Sequence, residues 1–282
     1  MKLTQTSAEI WTPDGTEAGA ALARTTHMGI SAHQDDIEIM AMDGILACFG
    51  SAEKWFTAVI ATNGAGSPRD GLYAAYTDEE MQRVRRVEQK KAAFVGEYSA
   101  VAFLDHPSSV VKNAADPRPR QDLKALLAAA RPQIVYTHNL ADKHDTHVST
   151  ALRAIAAIRE LPPAERPRKL YGCEVWRDLD WMPDGDKVVF CLDAHENIAA
   201  SLVGVFDSQI AGGKRYDLAT LCRRKAHATY HESHAVDAAQ MINFAMDLTP
   251  LVTDETLDPA AYVQETIARF AAEVGAKITK FA

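Results

Sequence analysis

The feature that most constrains this chain is an alternation of short apolar runs with longer segments of helical periodicity. The apolar runs cover residues 27–31, 55–62, 101–104 and 133–137, and their apolar residues do not alternate strictly with polar ones. Such runs are typical of strands buried on both faces of a parallel sheet. Helical patterns separate them, and strand–helix alternation indicates right-handed βαβ units. The sequence therefore predicts one doubly wound α/β domain.

The pattern is weaker in the second half of the chain. Two further runs, residues 171–176 and 187–192, are predicted as strands. Helices are predicted from about residue 193 and over residues 262–274.

Composition limits the class of partner. The chain has 282 residues, 47% of them hydrophobic and 24% charged, which is an ordinary soluble mixture. Its net charge of −8 gives no support to nucleic-acid binding. The four cysteines form no CxxC pair, no apolar run approaches a membrane span, and the N-terminal segment lacks a signal-peptide core. We expect a soluble cytoplasmic protein.

A first polar cluster, with the sequence AHQDDIE, follows the first predicted strand directly. It contains His33, Asp35, Asp36 and Glu38. Ligands of open α/β sheets bind beyond the carboxyl ends of the strands, so a site is expected here. The alternative is a solvated loop whose aspartates cap the next helix, but that alternative does not account for His33.

A second polar cluster, residues 137–147, follows the strand at 133–137. Asp145 is a good N-cap residue, which would place His147 in the first turn of the next helix. There the helix dipole favours the neutral imidazole that binds metal. The alternative is that these histidines are ordinary loop residues. Because both clusters follow strand ends, one edge of the sheet could bring them together.

The residue types in the two clusters are those of a catalytic metal site. Two histidines and one carboxylate, with a position left for water, suit zinc or ferrous iron better than calcium. A zinc-bound water reaches a pKa near 7, and a nearby carboxylate can take its proton.

The AHQDDIE and DKHDTH motifs resemble those of the LmbE/PIG-L family of zinc-dependent deacetylases. The resemblance is clear over residues 26–160 and looser beyond, and it implies one Rossmann-like, three-layer domain over residues 1–282. It also implies hydrolysis of an N-acetyl group from a glucosamine-type substrate, with Zn²⁺ as cofactor and Fe²⁺ or another divalent metal as alternatives.

The same resemblance assigns roles by position. It implies that His33, Asp36 and His147 hold the metal. It implies that Asp35 is the base that deprotonates the metal-bound water. His144 would stabilise the transition state or protonate the leaving amine.

Further roles are implied around this centre. Glu38 would hold a metal ligand from behind, and Arg85 and Asn63 would contact the substrate. An alternative for Arg85 is a surface ion pair with Glu88, three residues on.

The chain departs from the family pattern at two places. Gln34 replaces the usual proline of the first motif. Asp145-Thr146 replaces Pro-Asp in the second, so Asp145 would have to orient His144 from a shifted position.

Three later histidines, His227, His231 and His234, have spacings that would place them on one helix face as an extra metal site. We favour exposed surface positions for them, because no carboxylate pattern accompanies them.

Two other functions remain open. One is an amidase acting on a bulkier N-acyl or S-conjugate substrate. The other is a non-catalytic Rossmann-like binding protein, which is disfavoured because AHQDDIE stands where GxGxxG would be needed. The expected partner is a small amide or amino-sugar substrate, with homo-oligomer formation as an option.

Overall fold

The protein is built on an eight-stranded sheet covered by helices. The computed structural model covers residues 1–282. The strands are β1 (Glu9–Trp11), β2 (His27–Ser31), β3 (Phe56–Thr62), β4 (Ala100–His106), β5 (Ile134–His138), β6 (Lys169–Cys173), β7 (Lys187–Cys191) and β8 (Ile242–Asp247).

Twelve α-helices connect and cover these strands. They are α1 (Ala18–Ala23), α2 (Asp36–Met40), α3 (Met42–Cys48), α4 (Asp78–Val95), α5 (Ser108–Lys112), α6 (Arg118–Ala130), α7 (Asp145–Arg159), α8 (Glu196–Gly204), α9 (Asp207–Ile210), α10 (Tyr216–Tyr230), α11 (Pro250–Thr253) and α12 (Pro259–Phe281). Short 3₁₀ segments lie at Gly71–Tyr73, Pro163–Glu165, Asp184–Asp186 and Asp193–His195.

The strand order reverses at the centre of the sheet. The order is β1-β4-β3-β2-β5-β6-β8-β7. The five strands from β4 to β6 are parallel, and β1, β8 and β7 pair antiparallel with their neighbours. From β2 the chain builds one side of the sheet with β3 and β4, and then the other side with β5 and β6. Such a reversal opens a crevice at the carboxyl ends of the strands, which is where open α/β sheets bind ligands.

The sheet is buried on both faces. Every residue of β2 and β3 is buried. Along β4, Val101 and Phe103 join one hydrophobic core, while Ala102 and Leu104 join the other. This division follows the two-residue period of a strand. The result is the three-layer α/β architecture that the sequence predicts.

The predicted strands are found close to their predicted positions. The run at 27–31 is β2 with the same bounds, and the other predicted runs became β3 to β7 with shifted ends. Two strands were not predicted. β1 has only three residues, which is too short to give a pattern. β8 carries apolar side chains at every second position, at Ile242, Phe244 and Met246, with the polar Asn243 between the first two. The last helix is longer than predicted because Asp258 caps it ahead of Pro259.

None of the helices combines the length and the apolar character needed to cross a membrane.

Candidate metal centre and active site

The structure brings three of the predicted ligands together at the strand-order reversal. His33 and Asp36 follow β2, and His147 lies in the first turn of α7, after β5. One ring nitrogen from each histidine and a carboxylate oxygen of Asp36 all lie within 4.8 Å of one another. All three residues are largely or fully buried. The two sequence clusters therefore form one site.

The separations of these donor atoms suit a small divalent ion. Nδ1 of His33 lies 3.2 Å from Nε2 of His147 and 3.3 Å from Oδ2 of Asp36. Nε2 of His147 lies 3.4 Å from Oδ1 of Asp36. Ligands bound at about 2.0–2.1 Å around a tetrahedral zinc stand roughly 3.3 Å apart. The distance between the two nitrogens matches this value, and each nitrogen lies near a different oxygen of Asp36. Two histidines and one carboxylate are a donor set that fits zinc and would leave one of four positions for water.

The charges of the ligands also suit a cation. Burial lowers the pKa of His33 to about 4, so its ring is neutral and has a free lone pair at pH 7. Burial alone would raise the pKa of Asp36, but His147, His138 and His33 around it outweigh that effect and hold the pKa well below its usual range. Asp36 is therefore ionised, and its carboxylate lies beside the ring nitrogens of His33 and His147.

Asp35 stands beside the ligands in a strained backbone conformation. Its φ is +89°, which a residue with a side chain rarely adopts. It occupies the N-cap position of α2, but its side chain makes no capping hydrogen bond. Instead Oδ1 lies 3.4 Å from the guanidinium of Arg85, and the residue lines the pocket described below. The capping alternative therefore does not describe Asp35.

His144, not Asp145, caps helix α7. Nδ1 of His144 accepts a hydrogen bond from the backbone N–H of Thr146 at 3.2 Å. The prediction of Asp145 as the cap is wrong by one residue, although His147 does lie in the first turn. With Nδ1 as an acceptor, the neutral ring of His144 carries its proton on Nε2. Burial lowers the pKa of His144, which favours this neutral form.

The carboxylate that supports the two histidines of α7 is Asp142. Its Oδ1 accepts the backbone N–H of His144 at 2.9 Å and lies 3.4 Å from Nδ1 of His147. Its Oδ2 accepts the backbone N–H of Trp176 at 3.0 Å. Asp145 is exposed at the start of the helix. The role predicted for Asp145 therefore falls to Asp142, which no pattern in the sequence favoured.

His138 belongs to the site although the sequence assigned it no role. It is fully buried at the end of β5, and its ring stacks on His147 at 3.9 Å between centroids. Its Nε2 accepts the backbone N–H of Ala32 at 2.9 Å, and its Nδ1 makes no hydrogen bond. His138 thus fixes both the start of the metal loop and the plane of a ligand. Its position as the last residue of a strand was the only available signal.

Glu38 reaches the metal loop only indirectly. One oxygen accepts hydrogen bonds from Gln89 at 2.7 Å and from Tyr98 at 2.8 Å. Gln89 in turn accepts the backbone N–H of Asp35 at 3.3 Å. Burial raises the pKa of Glu38 to about 8. The structure thus shows no hydrogen bond from Glu38 to a metal ligand, contrary to the predicted contact, and connects it instead to the backbone of Asp35.

Arg85 and Glu88 are both buried, so the alternative of a surface ion pair is wrong. Arg85 donates to the carbonyl of Gln34 and to the hydroxyl of Ser67. Glu88 accepts the backbone N–H of Ser208 at 2.7 Å and its hydroxyl at 2.6 Å. Arg85 therefore fixes the metal loop, and Glu88 fixes α9 beside it.

A pocket of about 540 Å³ opens over the site. Its base includes His33, Asp35 and Asp36, and its walls include Asn63, His144, Gln209, Trp176 and Tyr216.

The loop after β3 forms one wall of this pocket and depends on a glycine. Gly64 has φ +76°, and a Cβ there would meet Oε1 of Gln34 at 2.5 Å. Gln34, which stands where the first motif of the family usually has proline, therefore fills the space that Gly64 leaves.

The three later histidines do not form a metal site. His227 is buried, contrary to the surface position that we favoured, and its Nε2 lies 3.0 Å from Oε1 of Glu174. His231 follows the end of α10, and His234 is exposed beyond it.

Comparisons with known proteins give the family that part of this chain matches and the structures that share its fold. A family model described as "PIG-L: GlcNAc-PI de-N-acetylase" matches residues 28–158. A comparison with curated protein sequences finds no match.

Three similar solved structures share the fold. One is a conserved protein of Thermus thermophilus, at TM-score 0.62 and 17% identity, covering 83% of this chain and 99% of that one. Another is the N,N'-diacetylchitobiose deacetylase of Pyrococcus horikoshii, at TM-score 0.62 and 14% identity, covering 82% and 86%. The third is GalB, the 4-carboxy-2-hydroxymuconate hydratase of Pseudomonas putida, at TM-score 0.59 and 16% identity, covering 83% and 100%.

Proposed function

Because residues 28–158 of this chain carry a PIG-L (LmbE-like) family domain, we propose that the protein is a metal-dependent hydrolase that removes an N-acetyl group from a glucosamine-type or related amide substrate. The fold alone does not select this reaction, since its structural neighbours include both a deacetylase and a hydratase. The observation that carries the proposal is the convergence of His33, Asp36 and His147 beside the carboxylate of Asp35, which lines the pocket and makes no capping hydrogen bond.

The site has the ligands for a metal. His33, Asp36 and His147 would hold it, and two histidine nitrogens with one carboxylate favour zinc, with ferrous iron as the alternative. When bound, such an ion supplies a Lewis acid that acidifies water and polarises the amide carbonyl. A zinc-inhibited form of the teicoplanin deacetylase Orf2 is among the similar structures, at TM-score 0.55.

Asp35 is the proposed base. Burial raises the pKa of its carboxyl group, and the guanidinium of Arg85 opposes that rise. The carboxylate takes a proton from water as the oxygen of that water bonds to the amide carbon. When the C–N bond breaks, Asp35 returns the proton to the departing amine, so that acetate and a free amine leave.

His144 is the proposed donor to the developing oxyanion. Its Nδ1 is occupied by the N–H of Thr146, so its Nε2–H is the group left to donate. The ring is held by its own capping bond and by stacking against His147 at 4.6 Å between centroids. A donor fixed in this way needs no reorganisation during the reaction.

The charges of the pocket favour a substrate with a negative group. The lining carboxylates are already compensated, because Asp35 pairs with Arg85, Asp78 pairs with Arg69, and Asp36 lies among histidines. Lys112 and Lys214, at the pocket wall, form no ion pair within the protein. A carboxylate or phosphate on the substrate would supply the partner that they lack.

The test is the substitution Asp35→Ala. The rate of hydrolysis of N-acetylglucosamine derivatives is measured by the release of amine. We expect this rate to fall by a factor of about 10²–10⁴ because the base is lost. Metal content should be unchanged, because the three ligands remain. The matched control is Asp180→Ala, an exposed aspartate outside the pocket, which should retain activity.

The outcomes separate the competing functions. Full activity in Asp35→Ala would contradict the proposed base. A preference for bulkier N-acyl or S-conjugate amides would favour the amidase. Bound metal without hydrolysis of any amide by the unaltered protein would favour a non-catalytic binding protein.

A further inference from the structure

The pocket wall contains a glutamine that the proposed mechanism does not use. Gln209 belongs to α9 and is only 3% exposed, although it lines the pocket. Its backbone N–H donates to the carbonyl of Phe206 at 3.0 Å, and its own carbonyl accepts the backbone N–H of Lys214 at 2.9 Å. The backbone that carries the side chain is therefore held in place. What the side chain offers to a ligand depends on its own hydrogen bonds.

A chain of hydrogen bonds decides which end of the Gln209 amide is free. Glu88 of α4 accepts both protons that Ser208 can donate, from the backbone N–H at 2.7 Å and from the hydroxyl at 2.6 Å. Because the Ser208 hydroxyl gives its proton to Glu88, it can only accept from any other neighbour. The group that it accepts is Nε2 of Gln209, at 3.1 Å. The nitrogen end of the amide therefore faces Ser208.

The oxygen end of the Gln209 amide is left for a ligand. Oε1 makes no hydrogen bond within the protein and is still accessible to solvent, and the pocket is the surface that the residue lines. An amide oxygen accepts hydrogen bonds and cannot donate them, so it does not bind an anion. It binds a group that carries a proton on oxygen or nitrogen. Gln209 is thus an uncharged acceptor in the pocket wall.

A second amide in the pocket is fixed in the opposite sense. Oδ1 of Asn63 accepts the backbone N–H of Ala65 at 3.2 Å, so its Nδ2 is the free end and can only donate. Lys112 and Lys214 add two further donors. The pocket therefore offers donors from these three side chains and an uncharged acceptor from Gln209. A ligand that satisfies both kinds of group carries a donor as well as acceptors.

We infer that Gln209 determines substrate specificity by accepting a hydrogen bond from a hydroxyl group of the substrate, and that Glu88 and Ser208 are positioning residues that fix the direction of its amide. The inference rests on the proposed function, because a glucosamine-type substrate carries hydroxyl groups around its ring. It names the residue that recognises a donor of the substrate, whereas the lysines recognise a negative charge.

The first test measures binding, so that it does not depend on turnover. The probes are glucosamine, which has no acetyl group to hydrolyse, and analogues in which one hydroxyl group at a time is replaced by fluorine. Fluorine is similar in size but has no proton to donate. Each probe is titrated into zinc-loaded protein in a calorimeter. We expect one analogue to bind the unaltered protein about 3-fold to 10-fold more weakly than glucosamine, the contribution of an uncharged hydrogen bond.

The variant Gln209→Met assigns this loss to Gln209. Methionine is similar in length but has no amide oxygen, so we expect the variant to bind glucosamine and that analogue equally well. Any loss that another analogue shows should persist, because it arises from other contacts. The matched control is Gln121→Met, the same change at an exposed position of α6, which should distinguish the probes as the unaltered protein does.

The variant Glu88→Gln tests the positioning role. Its side-chain oxygen would accept the backbone N–H of Ser208, and its NH₂ group would donate to the Ser208 hydroxyl. That hydroxyl would then give its proton to Gln209, whose amide would turn and present N–H to the pocket. An N–H does not repel fluorine as a carbonyl oxygen does. We therefore expect Glu88→Gln to distinguish the same analogue less well, although Gln209 itself is unchanged.

The variant Ser208→Ala gives a second measurement of the same role. It removes the hydroxyl that holds the Gln209 amide and leaves Glu88 in place, so the amide is free to turn and discrimination should again be weaker. Urea denaturation shows whether each variant is folded.

The outcomes separate this inference from the proposed function. Full discrimination against every fluorinated analogue in Gln209→Met would overturn the inference, and so would an unaltered protein that does not bind glucosamine. Full discrimination in folded Glu88→Gln and Ser208→Ala would overturn the positioning role. Binding with the expected preferences, but without hydrolysis of any amide, would support the inference and contradict the proposed function alone.

Discussion

Two clusters of buried histidine and carboxylate groups lie in this protein, one after strands β2 and β5 and the other where β6, β8 and α10 meet, and they are built in different ways. In the first, Nδ1 of His33 and Nε2 of His147 converge beside the carboxylate of Asp36 and lie 3.2 Å from each other. In the second, Glu174 uses both oxygens, accepting the backbone N–H groups of Leu179 at 2.6 Å and Phe244 at 3.0 Å and contacting His227 at 3.0 Å.

The difference separates a site from a structural support. The Glu174 cluster completes its hydrogen bonds within the protein, so it needs no ligand, and it contributes no residue to the pocket over the Asp36 cluster. The Asp36 cluster leaves lone pairs directed at a common point beneath an open pocket. Histidine and carboxylate together are therefore not enough to indicate metal chemistry. What matters is whether their bonds are already satisfied.

The largest expected contrast comes from removing one carboxylate from each cluster. In Asp36→Ala we expect metal content to fall and activity to drop by roughly a thousandfold or more, since the metal contributes several kcal/mol to the transition state. In Glu174→Ala we expect metal content to be retained, but the free energy of unfolding to fall by about 3 kcal/mol or more. Elemental analysis and urea denaturation measure the two effects.

A reversed pattern would break the comparison. If Glu174→Ala loses metal while remaining folded, the second cluster also binds an ion. The milder variant Glu174→Gln, which keeps one acceptor oxygen, shows whether a loss of metal in Glu174→Ala reflects unfolding.

A smaller effect on metal affinity is expected from Asp142, which lies against the ligand His147. Asp142→Asn should weaken metal binding by about 10-fold to 100-fold, the usual range for a group that orients a ligand histidine. Asp145→Asn should leave metal affinity unchanged, because Asp145 is exposed. Competition with a chromogenic chelator measures both. Equal losses in the two variants would return Asp145 to the role that the sequence suggested.

A still smaller effect is expected at the mouth of the pocket. Lys214→Gln should lower kcat/KM for an amide that carries a carboxylate or phosphate by roughly 3-fold to 10-fold, the contribution of an exposed charge contact. It should leave a neutral amide unaffected. Kinetics with a matched pair of substrates at two salt concentrations test this. An equal loss on both substrates would instead indicate a general role for the contact between Lys214 and Trp176.

The last expected effect is on stability alone and concerns a histidine at the other end of β2. His27 contacts the hydroxyl of Thr26 at 2.9 Å and the thiol of Cys48 at 3.4 Å, and burial lowers its pKa to about 4. Its pKa in the unfolded chain is higher, near 6.5, so the unfolded chain takes up the proton first as pH falls.

The neutral His27 ring therefore contributes its full stability above about pH 6.5 and loses it progressively toward pH 4. Urea denaturation of the unaltered protein should show a lower free energy of unfolding at pH 5 than at pH 7. In His27→Gln the difference between these two pH values should be smaller. An unchanged difference would show that other groups control the acid sensitivity.

The sequence predicted the parallel half of the sheet well because its strands are short, apolar and buried on both faces. The motifs after β2 and β5 then placed His33, Asp36 and His147 at one edge, since carboxyl ends of parallel strands meet there. These predictions depend on local patterns and on chain direction, both of which are written in the sequence.

The sequence could not predict contacts set by long-range packing. Asp142 and Asp145 are equally polar in the sequence, and only the turn into α7 decides which one is buried. The same is true of His227, for which the absence of a nearby carboxylate pattern suggested a surface position, whereas folding places it on Glu174 and its ring 4.2 Å from that of Phe244. The role of His138 was not predicted because it depends on the stacking of its ring on His147 and on its contact with the backbone of Ala32, and neither follows from the sequence.

The most direct test of the central claim is X-ray diffraction recorded at the zinc absorption edge from crystals of the protein loaded with zinc. We expect one strong anomalous peak bonded to His33, Asp36 and His147, with room for solvent on the pocket side. A peak at another place, or side chains of these three residues that turn away from each other with no metal between them, would contradict it.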